Sequence, residues 1–186
     1  MDNKELTDII RKAAQRKRKR LDFSAKGLLF LPSEIGHLHT LTQLDLSNNR
    51  LTSLPSEIGQ LTNLTQLYIR ANQLSGLPSE IGQLGNLTQL ILSSNRLTSL
   101  PREIGQLKSL TELVLSGNRL TYLPSEIGDL MNLTQLILTG NHLTILPSDI
   151  GRLGKLTQLY LSRNRLKSVP SEIGKTEASD QSRSES

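Results

Sequence analysis

Cysteine is absent from this 186-residue chain, and so is tryptophan. Without cysteine no disulfide staples the fold, no thiolate holds a metal, and the redox compartment leaves no trace in the sequence. Only three tyrosines and two phenylalanines are present, so any core is aliphatic. No apolar run reaches the roughly 18 residues that read as a membrane helix. The start, "MDNKELTDIIRKAA", is charged and has no apolar stretch of the secretory kind. A soluble, cytoplasmic protein is therefore expected. The three N-x-T sequons, at Asn63, Asn86 and Asn132, are expected to stay unmodified.

Charge is unevenly placed. The formal charge is +5, and residues 1–20 hold eight of the 22 Lys/Arg against three of the 17 acids. Fourteen of each sign remain for residues 21–186, so the body is neutral and the basic character belongs to the N-terminal segment. That argues against a whole-body nucleic-acid binder of the kind a high pI suggests.

Repetition is what the sequence has in excess. "LTQLDLSNNRLTSLPSEIGQLTN" over 41–63 is followed by "LTQLYIRANQLSGLPSEIGQLGN" over 64–86. At a period of 23 the chain divides into units 18–40, 41–63, 64–86, 87–109, 110–132, 133–155 and 156–178. Asparagine returns at Asn49, Asn72, Asn95, Asn118, Asn141 and Asn164. Glycine returns at Gly36, Gly59, Gly82, Gly105, Gly128, Gly151 and Gly174.

Within a unit, Leu44 and Leu46 alternate with outward positions, the period-two sign of a strand. Strands repeated in successive units stack as a parallel sheet about 4.8 Å apart. Leu51, Leu54, Ile58 and Leu61 complete a layer, and one unit alone cannot bury them. The Pro-Ser-Glu-Ile-Gly stretch predicts a helical or 3₁₀ turn, with proline at its start and glycine at a left-handed end. An asparagine inside a layer needs hydrogen-bond partners on both sides of its amide, so the Asn column is expected to tie loop backbones together.

The pattern L-x-x-L-x-L-x-x-N-x-L-x-x-L-P-x-E-I-G-x-L resembles the leucine-rich repeat family in its short 23-residue bacterial intracellular class. It is similar to the repeat regions of Roco-type GTPases and to Ras-binding scaffolds. The resemblance implies an α/β right-handed solenoid, with a concave parallel sheet and convex short helical turns. It also implies a scaffold or sensor module in signalling.

The expected organisation is a capping helix with a basic end over 1–20, the repeats over 21–174, and a disordered polar tail over 175–186. Unit 18–40 is atypical, with Lys26 in place of asparagine. Leu6, Ile9, Ile10 and Ala13 predict one apolar face of a helix over about 4–18, with Asp2 and Glu5 as a loose capping box. Its tail, residues 16–20, puts cations at a helix C-terminus, where the dipole favours them. At the other end, Leu156, Leu159, Leu161, Leu166 and Val169 are expected to show an apolar edge. The next partial turn and the tail, self-association, a downstream domain, or membership of a longer protein would cover it.

The variable letters mark the candidate site. The middle outward position reads Asp22, Asp45, Tyr68, Ile91, Val114, Ile137, Tyr160, an aliphatic strip with a tyrosine at each end. A glutamine column precedes it (Gln43, Gln66, Gln89, Glu112, Gln135, Gln158). A column of Ser47, Arg70, Ser93, Ser116, Thr139 and Ser162 follows. A contiguous apolar strip rimmed by polar groups points to a partner site, with tyrosine and arginine as the usual anchors. Tyr68, Arg70, Ile91, Val114, Ile137, Tyr160 and Arg163 are the candidate partner-binding residues. The competing reading is that β-branched residues suit strands wherever they fall.

Beyond the asparagines runs Arg50, Gln73, Arg96, Arg119, His142, Arg165, and the turns carry Glu57, Glu80, Glu103, Glu126, Asp149 and Glu172. The body is thus expected to be polarised, basic by the strand ends and acidic on the convex side. His37, His39 and His142 lack a third ligand at metal-site spacing, and no phosphate loop or catalytic triad pattern occurs. The sequence therefore predicts a non-enzymatic module binding a protein partner, with no cofactor, no metal and no small-molecule substrate. The alternatives are attachment to nucleic acid or anionic membrane through 16–20, and a consensus-like scaffold without a native partner.

Overall fold

The computed structural model describes residues 3–168 and residue 170. Helix α1 (Asn3–Gln15) leads into β1 (Arg20–Asp22). Six further strands follow at the 23-residue period: β2 (Gln43–Asp45), β3 (Gln66–Tyr68), β4 (Gln89–Ile91), β5 (Glu112–Val114), β6 (Gln135–Ile137) and β7 (Gln158–Tyr160). They form one open parallel sheet in chain order. The pairing keeps the repeat register, Leu90 opposite Leu113 and Leu113 opposite Leu136. Between consecutive strands lies a 3₁₀ turn, such as Ser56–Gln60 or Ser125–Asp129. The architecture is the α/β solenoid that the repeats predict.

Each layer is built from the constant leucines. In the fifth unit Leu110, Leu113, Leu115, Leu120, Ile127 and Leu130 are wholly buried. Burial of each such side chain stabilises by about 1.5–3 kcal/mol, which a single exposed unit could not gain. Two phenylalanines are all the aromatic bulk besides tyrosine, and of the two only Phe23 enters the wall, in the column where Ile69 is the other departure from leucine.

The asparagine column does what its chemistry demands. Asn118 Oδ1 accepts from Leu97 N at 3.0 Å, while its Nδ2 donates to Leu92 O at 3.0 Å and Leu115 O at 2.9 Å. One amide thereby joins two successive repeats. In the first unit Asn49 Oδ1 takes Lys26 N and Leu28 N, so the missing asparagine there is served from the next layer. A second column, which the spacing does not predict, is made by threonine: Thr88 Oγ1 donates to Thr65 O at 2.9 Å, and Thr111 Oγ1 to Thr88 O at 3.0 Å. The sequon asparagines form a third. Asn63, Asn86 and Asn132 each donate Nδ2 to a carbonyl of the preceding repeat, at 2.7–2.8 Å.

Several expectations need correction. The repeat glycine does not serve a left-handed turn. Positive φ among the described glycines is confined to Gly27, Gly117 and Gly140. At Gly59 and Gly105 a Cβ would lie 2.6 Å from the backbone oxygen of Glu80 or Glu126 in the next repeat. Close stacking of the turns excludes a side chain there. The left-handed position instead falls just before each asparagine position, at Ala25, Asn48, Ala71, Ser94, Gly117, Gly140 and Arg163. Gly117, Gly140 and Asn48 suit it, because glycine and asparagine accept positive φ most readily, whereas Ala25, Ala71, Ser94 and Arg163 adopt it at a steric cost.

Helix α1 ends three residues earlier than predicted. Arg18 N bonds to Ala13 O and Lys17 N to Ala14 O, with Lys17 at φ +48°. That is a Schellman closure, with lysine in the usual glycine position. Leu6, Ile10 and Ala13 are buried, and the helix packs against the first 3₁₀ turn. Ile9 lies off this face and is exposed. Leu6 and Ile10 are one helical turn apart and already span the contact stripe.

At the far end, Leu156 and Leu159 are buried and Leu161 and Leu166 partly so, which corrects the expected open edge. They pack back onto the sixth layer. Val169, Asp2, Glu172, Gly174 and the 175–186 tail lie outside the described residues.

Candidate functional site: the outer face of the sheet

Strand geometry decides which side chains face outward. In β2 to β7 the central leucine is buried, in β1 Leu21 is partly so, and its two neighbours point to the opposite face. Register then lines up the candidates: Tyr68 opposite Ile91, Ile91 opposite Val114, Val114 opposite Ile137, and Ile137 opposite Tyr160. The strip is contiguous over five strands, spanning about 19 Å between its tyrosines at the usual strand spacing.

Exposure varies along it. Tyr68, Ile91, Ile137 and Tyr160 are half-buried. Val114 retains only 9% of its surface, because the larger isoleucines on either side cover it. Val114 is therefore the floor of a shallow saddle rather than a projecting contact. Arg70 is exposed at the end of this face, where the other repeats carry serine or threonine. Its counterpart in the last unit is Ser162, not Arg163. Arg163 sits one residue further along, in the left-handed column at φ +57°. The two arginines do not share a register position, so they flank the strip rather than form one column.

The glutamine column is more than a rim. Tyr68 Oη donates to Gln89 Oε1 at 2.7 Å, and Gln89 Nε2 donates to Glu112 Oε2 at 2.9 Å. This chain fixes the Tyr68 ring against the sheet. Partial burial, with help from the Glu112 and Asp45 carboxylates, pushes the Tyr68 phenol above its ordinary pKa, so it remains a hydrogen-bond donor at neutral pH. Gln135 Nε2 donates to Gln158 Oε1 on the other side of the break at Glu112.

Toward β1 the face turns acidic. Asp22 and Asp45 occupy the strip position, each accepting a backbone N–H two residues on, from Ser24 and Ser47 at 2.8 Å. The side-chain and backbone bonds from Ser24 lower the Asp22 pKa. The apolar site thus has a carboxylate end and, at Arg70, a cationic shoulder.

The basic run 16–20 divides structurally. Residues 16–18 close α1, Lys19 O accepts Thr42 N, Gln43 N and Thr42 Oγ1, and Arg20 opens β1. The five side chains are exposed. Among the described residues no group of three or more His, Cys, Asp or Glu is placed to hold a metal. Nor is any helix there long and apolar enough to cross a membrane.

A parallel-sheet solenoid with a constant interior and a variable outer face defines a class: repeat scaffolds that present one continuous recognition surface. Comparison with known proteins places it more narrowly. A family pattern described as a leucine-rich repeat region matches residues 19–90, and patterns described as leucine-rich repeat match 62–120, 85–143 and 155–176. The chain belongs to the leucine-rich repeat family.

Among solved structures, it is similar to a leucine-rich-repeat protein of Leptospira interrogans. The two share 38% identity at a TM-score of 0.65, over 89% of this chain and 54% of that one. It is similar to the ectodomain of the plant receptor kinase GASSHO1/SCHENGEN3 from Arabidopsis thaliana, solved in complex with CASPARIAN STRIP INTEGRITY FACTOR 2 (36% identity, TM-score 0.73, 84% and 20% of the two chains). An internalin of Listeria monocytogenes, at 20% identity and TM-score 0.66, shares the fold over 81% of this chain and 51% of its own. The chain spans about half or less of the length of these proteins. No curated protein is significantly similar to it. Leucine-rich-repeat domains are in general protein-interaction modules and are typically not enzymes.

Proposed function

We propose that this protein is a non-catalytic recognition module, with residues 1–20 as its cap, whose outer sheet face receives a segment of a partner protein. One observation carries the reading: Tyr68, Ile91, Val114, Ile137 and Tyr160 fall in one register across five adjacent strands and leave an apolar saddle with polar margins. Neighbours in the family support it. GASSHO1/SCHENGEN3 is bound to CASPARIAN STRIP INTEGRITY FACTOR 2, and the plant peptide hormone receptor RGFR1 to RGF2. The hydrogen-bonded Tyr68 is pre-organised, so little side-chain entropy is lost when a partner docks on it.

The test sets two variants against each other in pull-downs from the native cell. Replacing Ile91, Val114 and Ile137 by Asp removes partner capture, while neutralising the five cations of 16–20 leaves it intact. The opposite pattern, with steep loss of binding as salt rises, would move the function to the basic run and to a polyanion.

A further inference from the structure

A second surface lies on the flank between the sheet and the 3₁₀ turns. The six segments 46–55, 69–78, 92–101, 115–124, 138–147 and 161–170 together contain seven Lys/Arg and not one Asp or Glu. Backbone bonds hold them in register: Arg119 N to Leu97 O, His142 N to Leu120 O and Arg165 N to Leu143 O, all 2.9 Å. Arg50, Arg96, Arg119 and Arg165 are exposed. None of the four forms an ion pair among the described residues. The carboxylates lie elsewhere, on the turns at Glu57, Glu80, Glu103, Glu126 and Asp149.

On this flank two large apolar side chains stand in water. Tyr122 is 52% exposed and Ile145 is 63% exposed. They occupy the same position in adjacent repeats, 23 residues apart. Ser53, Gly76, Ser99 and Ser168 hold that position in the other regular units. The layer does not need them, because Leu123 and Leu146 beside them do the packing and are buried. A paired apolar exposure that the architecture does not require, set among unpaired arginines, has the composition of a binding hot spot.

We infer that the flank of the fifth and sixth repeats binds an acidic peptide segment of a partner protein, with an apolar side chain of that segment seated between Tyr122 and Ile145. This goes beyond the sheet-face reading and uses a different surface. Arg96, Arg119 and Arg165 supply charge-assisted bonds to carboxylates, and the acidic turns reject the same segment from the other side. A peptide suits the site better than a nucleic acid. One tyrosine beside an aliphatic residue is not a stacking platform for successive bases.

The probe is a fluorescently labelled peptide of alternating Glu and Leu, compared with an all-Glu peptide and a single-stranded DNA oligonucleotide, by anisotropy. Tyr122→Ser with Ile145→Ser installs the residue that sister repeats already carry, and an unchanged urea midpoint verifies its fold. The Glu/Leu peptide binds the parent chain, and the double variant weakens it by about tenfold or more, the equivalent of losing one buried aliphatic contact. Arg96→Gln and Arg119→Gln, which copy Gln73 of the same ridge, each weaken it about threefold and flatten its salt dependence. Four results would overturn the proposal: no binding of the Glu/Leu peptide, equal binding of the all-Glu peptide, tighter binding of the DNA, or undiminished binding by the double variant. Loss with Ile91, Val114 and Ile137 changed to Asp, in place of loss with the flank variant, would assign the probe to the sheet face and overturn it equally.

Discussion

The two long sides of this stack are held in register by different forces. On the sheet side, backbone bonds run from every repeat to the next, such as Leu92 N to Val114 O and Leu115 N to Ile137 O at 2.8 Å. The asparagine and threonine columns add side-chain bonds to main-chain carbonyls. On the turn side, no backbone hydrogen bond joins one 3₁₀ turn to the next among the described residues. There the turns are kept close by a missing Cβ and by buried isoleucine. The consequence is a division of freedom. Where the main chain holds the register, outward side chains are free to vary, and they do. Where side-chain size holds it, "LPSEIGQL" hardly changes.

That contrast can be broken in graded ways. The largest effect is expected on the turn side. Gly105→Ala puts a Cβ 2.6 Å from Glu126 O and should cost about 3 kcal/mol by urea denaturation. A loss smaller than about 0.5 kcal/mol would mean that size does not set the spacing there. Next comes Asn118→Ala, which strands the buried Leu97 N and takes one of two asparagine donors from Leu92 O and from Leu115 O, and should cost about 2 kcal/mol. Asn118→Asp should not rescue it, since a carboxylate cannot donate to the two carbonyls.

Thr111→Val keeps the shape and removes the bond to Thr88 O. About 1 kcal/mol is expected, and no loss would show the threonine column to be incidental. A purely outward change, Gln135→Thr, should leave stability within about 0.5 kcal/mol. The smallest effect is a pH dependence. Asp22 has a lowered folded pKa, so its contribution is fully present above the ordinary value of 3.8 and fades as pH falls through the lowered one. The stability difference between the parent chain and Asp22→Asn should therefore shrink in acid. A difference that persisted at the lowest pH would place its origin in packing.

Much of this is legible from spacing. Leu44, Leu46 and the asparagines recur at fixed offsets because each layer repeats the same burial problem, so strand, layer and amide column can be read in advance. The outward residues of the strip are legible for the same reason, since alternation fixes the face. The role of the glycine is not. Its constraint is the carbonyl of a glutamate 21 residues on, and local rules for helix ends point to φ instead. The 23-residue register already separates Arg70 from Arg163, since it aligns Arg70 with Ser162, and the structure adds that Arg163 stands in the column of positive φ. Tyr122 and Ile145 do carry a sequence signal: large residues where Ser53, Gly76 and Ser99 stand.

The sequence by itself determined the period, the inward set and the direction of stacking, because burial and hydrogen-bond satisfaction are solved identically in each unit. Only the tertiary structure decided how close the turns approach, how far Val114 sinks between Ile91 and Ile137, and which cations stay unpaired. Those properties depend on contacts between repeats, and a contact between atoms 21–23 residues apart is set by how whole layers seat on one another.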